Sequence, residues 1–472
     1  MDPNAPWPQF AGSNGYRQSM ITAPANLGTP RWRAQLNRGV IYSSSAVSSA
    51  GTLAICAGDV FSLSCANGTT LWTFPGLGCT STPALSLAGA VIAAGEGGVV
   101  SLESATGKLL WTFLGSDAPF TMPTLGAVGS DTLYVGSMDG CLYKLSASTG
   151  APVWSTCRMG GTVEHAVALT RFRGVDLILA SLLEGGTLLA MDAATGSRVW
   201  AHATGDLLSA TPTISATGDA VIVGSFTGEV LALSLESGEV QWKFDTGGAV
   251  HAMAAVAVGG KGDVIIGSGN GTCFCLEGAT GGLLWSHTVG SPIRSSAAVA
   301  ADGMVIFGSD SGVVTALRPP LVRSGGMPAV SWTALTGGQV YSSPSIGVDG
   351  TAYVASYDGS VWAFGGGGAA NAVAGGATVS SVIVAVCTTV AVLSVAAFFT
   401  RWFILHLRKR DGVGKRTWGD LLVQGFARAR NSWSALFVQQ AAAGGPGHPL
   451  FLTDSYMLLA SDGPKRPFDN EQ

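Results

Sequence analysis

The side chains able to do chemistry are few and far apart. Glu164 and His165 are neighbours, His251 and Arg294 follow at long intervals, and Tyr42 and Tyr341 stand near the two ends of the same stretch. A carboxylate beside an imidazole can move protons, an arginine can hold an anion, and tyrosine hydroxyls can orient a polar ligand. None of these residues belongs to a compact catalytic signature. The chain has no GxSxG, no P-loop and no HExxH, and the GEGG at Gly95–Gly98 is turn chemistry rather than a phosphate loop. Eight cysteines (Cys56, Cys65, Cys79, Cys141, Cys157, Cys273, Cys275 and Cys387) include no CxxC pair, so zinc and thioredoxin-like chemistry lack support. No catalytic residue, metal site or cofactor is assigned from these patterns. Cys273 and Cys275 lie two apart on one strand face, where core packing is expected. The pairing of any disulfides is left open by sequence.

What must position these groups is a repeat. Its clearest copies are AMDAATGSRVW (190–200) and ALSLESGEVQW (232–242), each with a small first residue, Gly seventh and Trp last. The frame recurs at Ser62/Gly68/Trp72, Ser101/Gly107/Trp111, Lys144/Gly150/Trp154 and Cys275/Gly281/Trp285. Tryptophans 32, 72, 111, 154, 200, 242, 285 and 332 are spaced 39 to 47 residues apart, the period of a four-stranded propeller blade. Within one unit, ATPTIS, AVIVGS, EVLALS and EVQWKF read as four strands. Tight hairpins are expected at Asp139-Gly140, Asn270-Gly271 and Asp358-Gly359, where glycine supplies a positive φ. The small first residue falls on the third strand, the Gly in the turn and the Trp on the outer strand. Packing of Trp32, Trp72, Trp111, Trp154, Trp200, Trp242, Trp285 and Trp332 against adjoining blades is the expected structural role.

The count closes at eight. Seven repeats end at Trp72 through Trp332, and three further strands end at Phe364 without a fourth. The TPRWRAQL segment around Trp32 supplies a lone outer strand at the other end, so joining the termini completes an eighth blade and removes an open edge. The predicted fold is all-β: an eight-bladed β-propeller over residues 1–364, closed by N- and C-terminal strands. Aligning the repeats at the loops entering the inner strands puts Tyr42, Thr80, Phe120, Glu164, Ser209, His251, Arg294 and Tyr341 on one ring, with His165 beside Glu164. That ring is the candidate ligand-binding funnel.

The tryptophan-docking phrase, the blade period and the closure over Trp7–Phe364 resemble the pyrroloquinoline-quinone-repeat family of eight-bladed propellers. The resemblance implies either of two kinds of function. Quinoprotein dehydrogenases of the family carry adjacent cysteines, a Trp floor under the quinone and a Glu/Asn/Asp calcium set. This sequence has no Cys-Cys pair and no obvious trio of that kind, and its repeat intervals leave little room for inserted segments. Other members are non-enzymatic, including a lipoprotein scaffold of the outer-membrane barrel assembly machinery. A distant relative is the lumenal sensor domain of the unfolded-protein-response kinase. The non-enzymatic branch is the expectation, and a quinone-dependent dehydrogenase with an altered site is the alternative.

Beyond the propeller the composition changes. Residues 365–377 form a Gly-rich linker. Residues 378–400 carry no charge and are long enough to span a bilayer as one transmembrane helix. Arg401, Arg408, Lys409, Arg410, Lys415 and Arg416 follow, so the positive-inside rule predicts a partly disordered cytoplasmic tail, 401–472, with the propeller extracytoplasmic or lumenal. The opening MDPNAPWPQFAG is not a signal peptide, which leads to the expectation that the start lies further upstream. Asn67-Gly-Thr and Asn270-Gly-Thr are glycosylation candidates, and Tyr456, Leu458 and Leu459 fit a sorting pattern. Charged residues make up 11% of the chain and the formal net charge is −4, which argues against a nucleic-acid partner. The expected function is a non-catalytic, single-pass membrane-anchored propeller that binds protein or glycan partners as a scaffold, adhesion module or sensor.

Overall fold

The computed structural model describes residues 28–36, 39–86, 88–208, 210–256, 262–320 and 325–365. The linker, the apolar stretch 378–400, the tail with Tyr456, Leu458 and Leu459, and rim position Ser209 lie outside them. Among the described residues no helix is long and apolar enough to cross a membrane.

The described chain forms eight separate antiparallel sheets, as the repeat count predicts. Blade 5 shows the pattern: inner strand Thr213–Ile214, then Ala220–Gly224, Glu229–Ser234 and outer strand Val240–Asp245, hydrogen-bonded in that order. Its inner strand is shorter than ATPTIS suggests, at two residues, as are the inner strands of every other blade but blade 4. The second and third strands are buried on both faces, as sheets stacked between neighbours require. Blade 8 closes as expected. The segment Pro30–Gln35 pairs antiparallel with Ser360–Phe364, setting Trp32 opposite Ala363 and Ala34 opposite Val361. Blade 1 departs from four strands. One 13-residue strand, Thr52–Ser64, occupies its second and third positions, with Gly58 at φ 75° in the middle.

The repeat phrase is a joint between blades, and six copies are built alike. The rings of Trp32, Trp72, Trp111, Trp154, Trp200 and Trp242 lie on Gly68, Gly107, Gly150, Gly196, Gly238 and Gly281 of the next blade. Those glycines have φ between 70° and 73°, a region other residues rarely adopt. A Cβ added at any of them would sit 2.5 to 2.9 Å from the indole. Each indole N–H then donates to the carbonyl three residues before its glycine: Cys65, Ser104, Ala147, Ala193, Leu235 and Gly278, at 2.8 to 3.4 Å. The buried ring therefore keeps its one polar atom satisfied. The first residue of the phrase faces the Trp of its own blade, as Ala232 faces Trp242. At Lys144 that residue is long, and its Nζ reaches the same Ala193 carbonyl that accepts from Trp154. Trp332 uses a different seat. It packs beside Phe364 and Gly28, and its Nε1 has no partner among the described residues.

The cysteines divide into staples and core. Cys56–Cys79 and Cys141–Cys157 are disulfides, each within one blade. Cys273 and Cys275 take no part in a disulfide and are buried in the core between blades 6 and 7, as their spacing predicts.

A Gly238→Ala substitution combines a disfavoured φ with a collision against the Trp200 ring. It should destabilise the propeller by about 3 kcal/mol or more, while Trp200→Ala should cost ~3–5 kcal/mol through the cavity it leaves. Chemical denaturation of the two variants checks both values. A Gly238→Ala chain as stable as wild type would contradict the joint.

Candidate functional site

Alternation of strand direction sends two loops per blade to the same end of the ring. One enters the inner strand, and the other joins the second and third strands. A cavity of about 450 Å³ opens between them at the centre. The rim positions read from sequence meet there: Tyr42, Thr80, Glu164, His165, His251, Arg294 and Tyr341 all line it. Phe120 does not. It is buried among Phe113 and Tyr143, with ring centroids 5.7 and 5.6 Å away, because its loop turns the side chain into the blade.

Two residues deeper, a belt of hydroxyls holds the inner loops together. The backbone N–H of Met253 donates to Ser296 Oγ, Ser296 N–H to Ser343 Oγ, Ser343 N–H to Ser44 Oγ and Ser44 N–H to Thr82 Oγ1, at 2.8 to 3.0 Å. The belt runs from blade 6 across the closing seam to blade 2. It fixes the backbone from which the rim side chains project.

The rim has two unlike halves. On blades 5, 6, 7, 8 and 1 planar side chains touch in series. Phe226 meets His251 edge-on at 4.6 Å, and Arg294 Nη1 donates to His251 Nε2 at 3.1 Å. An arginine only donates, so His251 carries its proton on Nδ1. The Arg294 guanidinium also bonds Asp310 at 3.1 Å and lies over the Tyr341 ring. Tyr341, Tyr357 and Tyr42 then pack with centroids 4.4 and 4.9 Å apart. Burial, then the Arg294 charge, lower the His251 pKa and keep the ring neutral. Burial, then the hydrogen bond that its hydroxyl donates to Tyr42, raise that of Tyr357.

The other half holds Glu164 and His165, 3.7 Å apart. Burial and the neighbouring Glu184 raise the Glu164 pKa. Although 24% of the His165 side chain is exposed, its Nε2 is shielded and unpartnered among the described residues, and burial lowers its pKa to about 4. The pair is a carboxyl group and an imidazole 3.7 Å apart, too far for a hydrogen bond, each with its charged form disfavoured by burial.

Sequence reasoning missed the second loop of each blade. Leu183 and Phe226 line the cavity, and Asp310 and Tyr357 complete the arc, from turns that the alignment of inner-strand loops never inspected. The paired signals Ser-Asp-Ser-Gly and Ser-Tyr-Asp-Gly were visible as turns only.

The quinoprotein set does not fit this cavity. Among the described residues no tryptophan lines it. The disulfides join residues 23 and 16 apart rather than neighbours. Among the described residues no three His, Cys, Asp or Glu side chains converge where a metal ion could sit.

The family model described as outer membrane protein assembly factor BamB matches residues 95–249 and 227–320. The chain is a propeller of the PQQ-repeat type. Solved PQQ-type propellers agree in fold. BamB from Moraxella catarrhalis is 18% identical with a TM-score of 0.53, over 72% of this chain and 100% of that one. Quinohemoprotein alcohol dehydrogenase from Comamonas testosteroni is 16% identical with a TM-score of 0.59, over 77% and 81%. A europium-containing methanol dehydrogenase is 14% identical with a TM-score of 0.60, over 74% and 89%. No curated protein matches the chain in sequence.

The buried His165 makes the PQQ-type propeller acid-sensitive. An unfolded histidine binds its proton near pH 6.5, whereas the folded one does so near 4. Protons therefore favour the unfolded chain as pH falls from 6.5 to 4, by up to about 3 kcal/mol, and the loss levels off below. His165→Gln should flatten that part of a stability–pH curve measured by denaturation. An unchanged slope would place the acid sensitivity elsewhere.

Proposed function

We propose that this PQQ-type propeller is a non-catalytic, membrane-anchored module whose funnel binds a protein partner outside the cytoplasm. The observation that carries the reading is the arc from Tyr42 through Tyr357, Tyr341, Arg294 and His251 to Phe226. Tyrosine and arginine dominate protein-binding hot spots, since they offer large rigid contact area with polar ends. Here they are already ordered against one another, which lowers the entropy cost of docking. The similarity to the barrel-assembly factor supports a scaffold role. The misfit of the cavity to a quinone and its metal supports a role without catalysis.

Anchoring rests on the uncharged stretch 378–400 and its basic flank. An oxidising compartment for the propeller is supported by the two disulfides. The two sequons differ in structure. Asn67 is exposed on a turn, its Oδ1 accepting from Thr69 N and Oγ1 at 3.1 and 2.9 Å. The Asn270 amide is committed, donating to the Thr246 carbonyl.

Photo-cross-linking from the funnel of the full-length chain should capture a protein. The yield should fall roughly tenfold in a Tyr42→Ala/Arg294→Ala variant that still folds, a loss of ~1.4 kcal/mol. Undiminished capture, or tight binding of pyrroloquinoline quinone with calcium and dye reduction, would reject it. Extracytoplasmic exposure in a eukaryotic host should add an endoglycosidase-sensitive glycan lost in Asn67→Gln and kept in Asn270→Gln. A protease-protection result placing the propeller on the cytosolic side would contradict the topology.

A further inference from the structure

The funnel face carries an uneven charge that the protein-binding arc does not use. On blades 2 to 5 its loops hold Glu96, Asp117, Asp139, Glu164, Glu184 and Asp206 against one cation, Arg158. Among the described residues, no lysine or arginine lies within ion-pair distance of any of the six. The opposite arc differs, since Asp310 is paired with Arg294 and Asp358 with Arg33. The contrast is therefore not a general surplus of acid but a sector of uncompensated charge.

Local hydrogen bonds keep much of this charge in place. The Thr162 N–H and hydroxyl lower the Glu184 pKa. At Asp206 and Asp139 burial acts the other way, but hydrogen bonds from Thr227 and Ser116 prevail. A groove of about 370 Å³, lined by Asp139, Arg158, Thr162 and Glu184, runs between blades 3 and 4, and Glu164 follows Thr162 by two residues. Thr211 is 3% exposed, lines the cavity, and has an Oγ1 with no partner among the described residues. The shielded His165 Nε2 lies in the same wall and is likewise unpartnered. Buried polar atoms without partners are costly, so this wall can take hydrogen-bonding groups from a ligand.

We propose that this acidic sector docks a basic, extended segment of a partner protein, with one lysine or arginine side chain entering the cavity beside Glu164. The inference rests on the reading that the funnel binds protein, and it names the chemistry of the partner. A guanidinium supplies several donors at fixed angles, enough for the Glu164 carboxylate and a neighbouring hydroxyl together. Further basic residues of the segment would follow the groove past Glu184 and Asp139. The six carboxylates would also speed its encounter.

Full-length protein in lipid nanodiscs is titrated with a short fluorescein-labelled peptide rich in lysine and arginine, and anisotropy is read. Binding should weaken at least roughly tenfold between low salt and about 0.3 M salt. It should weaken about tenfold in Glu164→Gln/Glu184→Gln. The charge-matched variant Asp192→Asn/Glu236→Gln, on turns at the other end of the blades, should bind like wild type. No binding at low salt, or equal loss in both variants, overturns the proposal. Cross-linking through Tyr42 and Arg294 is scored in parallel. If it persists while the peptide fails, protein binding stands and the basic segment is refuted. If both fail, the protein-binding reading falls with it.

Discussion

The structure depends on one contact made six times over: a tryptophan ring lying on a glycine of the next blade. A single four-stranded blade has two apolar faces and cannot bury either alone. The indole covers one edge of that problem with a large apolar area and one N–H, and the neighbouring carbonyl takes the N–H. Glycine is required twice over at the contact, because its φ near 70° is left-handed and because any Cβ would enter the ring. Neither requirement can be relaxed by small movements, since backbone lies on one side and a buried ring on the other.

This joint separates stability from recognition. The phrases that form it connect third and outer strands, at one end of the blades. The loops at the other end meet none of its demands and are free to differ. That is where the chain places its tyrosines, its Arg294–Asp310 pair and its unpaired carboxylates. The hydroxyl belt through Ser296, Ser343, Ser44 and Thr82 links the two regimes, holding the inner loops at a fixed spacing while the rim varies.

Much of this was legible in the residues. The period of the tryptophans fixed the blade count, and the unpaired strand around Trp32 revealed the closing seam. The rim positions one loop ahead of each inner strand were found because they align. Phe120 was misplaced because alignment gives position and not side-chain direction, and nearby Phe113 and Tyr143 draw it inward. Tyr357, Phe226 and Asp310 were overlooked because their turns are far from the rim in sequence and converge on it only once strand directions alternate. The pairs Cys56–Cys79 and Cys141–Cys157 were invisible for a related reason, since register across a blade decides them. Blade 1 lacks a break between its second and third strands, which no local signal near Gly58 announced.

The central claim is that the tryptophan joints hold the ring closed and thereby keep the two halves of the funnel in register. Native-state hydrogen exchange on a Trp32→Ala variant tests it most directly, because Trp32 lies on Gly68 across the seam between blades 8 and 1. The account predicts faster exchange in Pro30–Gln35, in its partner Ser360–Phe364, and in the belt amides of Ser44 and Ser343 together. Acceleration confined to Pro30–Gln35, with the belt amides as protected as in wild type, would contradict it.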